Sequence, residues 1–357
     1  MSLSINRTDA SVSPEERNSA KDFIVYDEAL VAATEAAIVL GKPLLLTGEP
    51  GIGKSVFARW LAHDLGVGDC LKYVVKSDSA ARDLFYQFDT LERFRDNQQD
   101  QSGARDTSSV GGNSARDNES RLLKYISYNA LGRAFLNSLG QTKAVQMGVL
   151  SDQINRFEYD QIVVAPSRSV VLIDEIDKAP RDIPNDILDE IDTRRFRLKE
   201  LSNIEIAANP AHQPVVVITS NSERDLPKPF LRRCIYYHMH VPDEGYIDNE
   251  PRSRTEILRH IADARIGARY SQSADFVGDS IKLYAYIRDN VSLRHQPGVA
   301  ELLDWLGDMA SIGVPPGSRL KDFGAYELSL RSTLCKDPQD QKTAEEHCKD
   351  WLTAATG

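Results

Sequence analysis

Eight consecutive residues carry the most specific chemistry in the chain. Gly48-Glu49-Pro50-Gly51-Ile52-Gly53-Lys54-Ser55 fits the pattern G-x-x-x-x-G-K-[ST]. Glycines let the backbone curl so that several N–H groups point at one phosphate cluster. The helix expected to follow adds its positive N-terminal end. Lys54 supplies a mobile positive charge for the β and γ phosphates of a nucleotide, and Ser55 supplies a hydroxyl for Mg²⁺.

A second constellation is Val170-Val171-Leu172-Ile173-Asp174-Glu175, an apolar run that ends in two carboxylates. Burying two acids without partners is costly. At the C-terminal edge of a parallel sheet they face a ligand crevice instead. There Asp174 holds Mg²⁺, directly or through water, and Glu175 polarises an attacking water as general base. Val215–Thr219 likewise ends in Ser220-Asn221, and a neutral amide at that edge can hold the attacking water or touch the γ-phosphate. Arg232-Arg233 stand where a short helix would run into the last buried strand. One of the two arginines there can reach the nucleotide of a neighbouring subunit and stabilise the transferring phosphoryl group.

These residues need a scaffold, and the spacing of apolar residues predicts one. A helix over 26–40 ends at Gly41, and the strand Leu44–Thr47 leads into the phosphate loop and a helix over 55–65. Further strands are expected at Leu71–Val75, Ser169–Asp174, Val215–Thr219 and Ile235–Val241, with helices over 80–95, in part of 122–139, and over 183–193. Phe196–Ile206 reads as a short hairpin. Apolar runs alternating with helices predict a parallel sheet covered on both faces. The stretch 97–120 is polar and of low complexity, and is expected to be a disordered insertion within the domain. After Pro242 the pattern turns helical, at 255–264, 280–290, 299–310 and 325–334, with no strong strand. The organisation expected is a mobile tail at 1–20, a core at 21–241, a helical lid at 242–335 and a polar C-terminal tail at 336–357 with one short helix.

Composition narrows the class. The 357 residues carry a formal net charge of −10, with 41% hydrophobic and 27% charged residues, which suits a soluble globular protein rather than a basic nucleic-acid binder. The polar start lacks the marks of a signal peptide and no run of 18 apolar residues exists, so a cytoplasmic protein with no membrane contact is expected. Cys70, Cys234, Cys335 and Cys348 form no CxxC pair, which argues for free thiols rather than a zinc site.

Together the pieces LLLTGEPGIGKS, VVLIDEIDKAP, ITSN, LPKPFLRRCIYYHMHVPD and PGVAELLDWL resemble the AAA+ ATPases, and among them the bacterial MoxR-type group, over roughly Phe23 to Leu334. The resemblance implies an α/β fold: a P-loop core with a five-stranded parallel sheet of order 5-1-4-3-2 in an αβα sandwich, then an all-helical lid. It implies a nucleotide-binding run of Gly48, Glu49, Pro50, Gly51, Ile52, Gly53, Lys54, Ser55 and Val56, with Mg²⁺ held by Ser55 and Asp174. Glu175 is the base, Asn221 is sensor 1, and the arginine finger is Arg233 or, second, Arg232. Sensor 2 falls on Arg294, in a stretch (Leu293 to Gly298) that departs from the usual pattern. Ring assembly as a homo-hexamer is implied, with ATP–Mg²⁺ at the boundaries. So is chaperone-like work on a client, such as a protein with a von Willebrand factor A domain. Two other classes fit part of the pattern. One is a nucleotide-gated scaffold with little hydrolysis. The other is a motor subunit of a nucleic-acid complex, suggested by Asp174-Glu175-Ile176-Asp177 but disfavoured by the acidic balance.

Overall fold

The computed structural model describes residues 23–103, 121–180, 183–221, 225–266, 276–311, 318–322 and 333–354. The tail expected at 1–20, the residues 104–120 of the polar insertion and most of the helix expected at 325–334 lie outside them.

The chain divides into two compact units, one formed by Ala32–Thr47 with Leu61–Tyr237, the other by residues up to Val31, Gly48–Trp60 and the chain from His238 onward. The first contains α1 (Glu28–Leu40) in its larger part, β1 (Leu44–Gly48), the C-terminal end of α2 (Lys54–Asp64), β2 (Leu71–Val74), β3 (Tyr86–Phe88), α3 (Thr90–Gly103), β4 (Ile126–Tyr128) and α4 (Ala130–Leu139). It continues through α5 (Gln141–Gln146), α6 (Arg156–Gln161), β5 (Val170–Asp174), α7 (Ile183–Thr193), β6 (Arg195–Leu198), β7 (Ile204–Ala207), β8 (Val215–Thr219), α8 (Lys228–Arg233) and β9 (Ile235–Met239).

Five strands form the main sheet, in the order β2-β5-β8-β1-β9. Numbered along the sheet's own chain order this is 2-3-4-1-5, the 5-1-4-3-2 expected. Pairing is parallel, with Leu46 beside Thr219, Ile173 beside Ile218 and Val74 beside Asp174. β1, β5 and β8 are buried at every position. That is why they read as unbroken apolar runs: both faces of a covered parallel sheet exclude water. Leu45, Val171, Ile173 and Ile218 join Phe85, Phe135 and Phe196 in one core. Phe85 stacks on Phe196 with centroids 4.9 Å apart. Each fully buried aliphatic side chain contributes roughly 1.5–3 kcal/mol.

The segment 80–95 is not the single helix expected. A short 3-10 turn (Ala81–Leu84) leads into β3, which pairs antiparallel with β4 before α3 begins. Leu84, Phe85 and Phe88 have helical spacing, but a short apolar run fits either period. The partner strand lies beyond the polar insertion, so pairing leaves no local mark in the sequence. α3 itself runs on to Gly103, into the stretch expected to be disordered. The hairpin expected at Phe196–Ile206 is present as β6 and β7.

The second unit holds β10 (Glu244–Ile247), β11 (Glu250–Ser253), α9 (Arg254–Ile266), α10 (Phe276–Asn290), α11 (Val299–Ser311) and α12 (Pro338–Ala354). Its core gathers Phe276, Tyr284, Ile287, Leu302, Trp305 and Leu306. Two features differ from expectation. β10 and β11 form a hairpin where no strand was expected, closed by Asp248 and Asn249, both at positive φ (54° and 64°). Two left-handed residues give the turn that suits a right-twisted hairpin. The strands are short and mostly exposed, so they lack an apolar run. The C-terminal tail carries a 17-residue helix, longer than the one short helix expected. Ala344, Cys348 and Leu352 recur at i, i+4 and i+8 and pack into the helical core, a stripe masked by the polarity of the rest.

That packing is testable. Ala344→Asp puts a carboxylate where no solvent reaches, which should destabilise the protein by about 3–5 kcal/mol in urea unfolding. A solvated tail would lose less than about 0.5 kcal/mol.

Candidate functional site

The phosphate loop leaves the end of β1 at Gly48. Gly48, Gly51 and Gly53 take φ values of 137°, 76° and 104°. A Cβ at Gly48 would lie 2.4 Å from the Met239 carbonyl oxygen. Only glycine fits there, because the backbone curls against a neighbouring strand. Lys54 opens α2 and is 6% exposed, its Nζ donating to the carbonyl oxygens of Gly48 (2.8 Å) and Glu49 (2.9 Å). The loop thus wraps its own ammonium group. Glu49, Pro50 and Gly51 are exposed, and Ile52, Gly53, Ser55 and Val56 are half-buried. Phe23 packs on Phe57 and Trp60 of α2, with centroids 5.4 and 5.8 Å away.

Within the second unit, helices α10 and α11 touch this loop directly. Arg288 of α10 pairs with the Glu49 carboxylate and donates to the Pro297 carbonyl oxygen at 2.8 Å. Partial burial works against the Arg288 charge, but its bonds to Glu49 and Tyr284 outweigh that and raise its pKa. A Cβ on Gly51 would meet the Ala300 side chain at 2.4 Å, so the start of α11 also rests on the loop. Beside Glu49 and Ile52 opens a cleft of about 440 Å³, counting its solvent-open part, with Leu258, Tyr284, Arg288 and Val299 on its walls.

The acidic strand end lies in the sheet unit. Asp174 is 8% exposed. Its Oδ1 accepts from the Thr219 hydroxyl at 2.6 Å, and its Oδ2 pairs with Lys72 Nζ at 2.7 Å. The Thr219 hydroxyl also accepts the Glu175 N–H at 3.0 Å. One hydroxyl on β8 therefore orients two consecutive acids on β5. Glu175 is in the left-handed region (φ 63°, ψ 50°). A non-glycine residue in that region is strained by about 1–3 kcal/mol. Its carboxylate accepts from Lys178 at 2.8 Å and is 31% exposed. Asn221 follows β8 half-buried, and its N–H donates to Asp177 Oδ2 at 3.2 Å. The structure thus brings Asp174, Glu175 and Asn221 to one edge of the sheet.

The arginines fall differently. Arg233 closes α8 and pairs with Asp192 at 3.2 Å, whereas Arg232 is exposed. Arg294, expected beside the nucleotide, is 69% exposed and its guanidinium lies 3.6 Å from Asp337. Its backbone N–H donates to Asp340 of α12 at 2.9 Å. The basic residue of the helical unit that bonds to the phosphate loop is Arg288. Sequence reasoning missed it, along with Thr219 and Lys72. Thr219 left a faint signal as the sole hydroxyl in an otherwise aliphatic strand, whereas Arg288 is one of several arginines at helical spacing.

A phosphate loop after a buried strand, with an oriented acid pair on the next-but-one strand, defines a P-loop ATP hydrolase. The AAA domain family (dynein-related subfamily) matches residues 43–234, and the chain belongs to that family. None of the curated proteins matches the chain. Among solved structures it is similar to a mutant of RuvB from Thermotoga maritima, at 15% identity and TM-score 0.42, covering 88% of this chain and 72% of that one. It is also similar to Hsp104 with ATPγS and casein, at 15% identity and TM-score 0.35, covering 70% of this chain and 37% of that one. Neither likeness bears on activity. No helix among the described residues is long and apolar enough to cross a membrane.

Thr219→Val keeps the side-chain volume but removes the hydroxyl that orients Asp174 and Glu175. It should lower turnover about 10–100-fold, destabilise the fold by about 1–3 kcal/mol, and leave nucleotide affinity within a few-fold. Steady-state kinetics and fluorescence titration separate these effects.

Proposed function

We propose that this ATPase is a MoxR-type remodelling motor that works as a ring, with ATP–Mg²⁺ at each subunit boundary. The observation that carries the reading is the strand-end arrangement in which Thr219 fixes Asp174 and Glu175 together. A purely nucleotide-gated scaffold has no use for a half-buried carboxylate on a strained backbone beside a buried one.

Ser55 and Asp174 fit Mg²⁺. Both offer hard oxygen donors, and one carboxylate plus a hydroxyl and phosphate oxygens is the set this ion takes. When bound, the ion neutralises charge on the β and γ phosphates. The Lys54 ammonium leaves its loop carbonyls and donates to the same phosphates, and the loop amides hold the triphosphate tail. The base is docked in the cleft beside Ile52 and Tyr284. Glu175, released from Lys178, takes the proton of the attacking water, and Asn221 holds that water in line. Arg233 of a neighbouring copy stabilises the transferring phosphoryl group, with Arg232 beside it. Arg288 takes the place expected of Arg294, reporting the state of the loop to the helical unit through Glu49. The ring is a homo-hexamer in the cytoplasm, and the output is force on a client protein, such as one with a von Willebrand factor A domain.

Glu175→Gln should bind ATP as the wild type does and lose at least about 100-fold in turnover. Affinity purification of that variant in ATP should retain the client. Hydrolysis at the wild-type rate would remove Glu175 from the mechanism.

A further inference from the structure

Arg233 is already occupied within its own subunit. Its Nε lies 3.2 Å from Asp192 Oδ2, and the two side chains are 46% and 42% exposed. Two observations say that this pair is a poor stabiliser. An ion pair this well solvated contributes little to folding. Asp192 also sits in the last turn of α7, where a carboxylate faces the negative end of the helix dipole, and that turn has no basic residue. An acid is placed where the helix disfavours it, opposite the one arginine that must later leave.

The backbone around Arg233 is anchored by buried neighbours on either side. Phe230 is fully buried, Cys234 is 8% exposed, and the Cys234 N–H donates to the Leu231 carbonyl oxygen at 3.3 Å. Burial, and then the Asp192 charge, push the Cys234 thiol up to about 12, so it remains a neutral packing group. Arg232, next along the helix, makes no ion pair among the described residues.

We propose that Asp192 is a positioning residue: it holds Arg233 as a counter-ion in the isolated subunit and yields it to the nucleotide phosphates of a neighbouring copy. This rests on the finger reading of Arg233 given above. The exchange has a clear direction. A guanidinium bonded to one hydrated carboxylate trades it for phosphate oxygens in a boundary from which water is displaced, where charge-assisted bonds are stronger. Asp192 therefore sets a threshold. It keeps the finger charge-matched, and it competes with every incomplete boundary for the same guanidinium.

The test is ATPase specific activity measured against protein concentration for the full chain, with nucleotide affinity and melting temperature measured alongside. In the wild type, activity should rise with concentration, and Arg233→Ala should be flat and low. Asp192→Asn should move the half-maximal concentration down about two- to fivefold, the range a solvated pair allows, at unchanged nucleotide affinity and melting temperature. Asp192→Glu, which restores the charge, should return the midpoint toward the wild type. Asp192→Asn combined with Arg233→Ala should match Arg233→Ala alone. A curve for Asp192→Asn that overlays the wild type overturns the role of Asp192, and so does a shift that persists without Arg233 or comes with a loss of melting temperature. Wild-type activity that ignores protein concentration, or Arg233→Ala at wild-type rates, overturns the finger reading itself and this inference with it.

Discussion

The structure is organised around a buried ammonium group held by the carbonyls of its own glycine-rich loop. Lys54 bonds to the carbonyl oxygens of Gly48 and Glu49, and three left-handed glycines make that wrap possible. A charge so little exposed needs partners. Carbonyl oxygens supply them weakly enough that a triphosphate can take over. The apolar strand β1, buried at every position, leads directly into this loop. Its neighbour β8 delivers Thr219 and Asn221 from the same edge, and β5 delivers Asp174 and Glu175. The hydrophobic core is thus the means by which a few charged groups are held against the tendency of water to claim them.

Much of this was legible in the sequence, for physical reasons that differ by element. The central strands are covered on both faces, so their burial appears directly as aliphatic runs, whereas their order came only from the resemblance to the AAA+ ATPases. The phosphate loop was legible because glycine and lysine are required at fixed spacing. The β3–β4 pair was not legible, because its strands contain three residues each and meet across the polar insertion. The β10–β11 hairpin and the C-terminal helix were missed for the opposite reason: both are polar overall, and their structural signal lies in two turn residues and a stripe of three small or apolar side chains.

The site shows the same division. Residue types at motif positions were readable, but their partners were not. Thr219, Lys72, Arg288 and Asp192 each make a contact between segments distant in sequence. Arg294 shows the converse. It occupies a plausible position along the chain, yet its charge lies by Asp337, just before α12, and its backbone bonds to Asp340 within that helix. Glu49 links the phosphate loop to α10 through Arg288, and Gly51 gives α11 a close seat on the same loop. The loop and these helices are thus tied by both an ion pair and a close backbone seat.

The most direct measurement is equilibrium binding of a fluorescent adenine nucleotide to the wild type and to Lys54→Ala, with folding of both checked by circular dichroism. Tight, Mg²⁺-dependent binding by the wild type and a loss of at least about 100-fold in the variant are predicted, since a buried charge-assisted contact to phosphate is removed. Equal affinity in the two proteins, or no binding by the wild type, would contradict the account at its base.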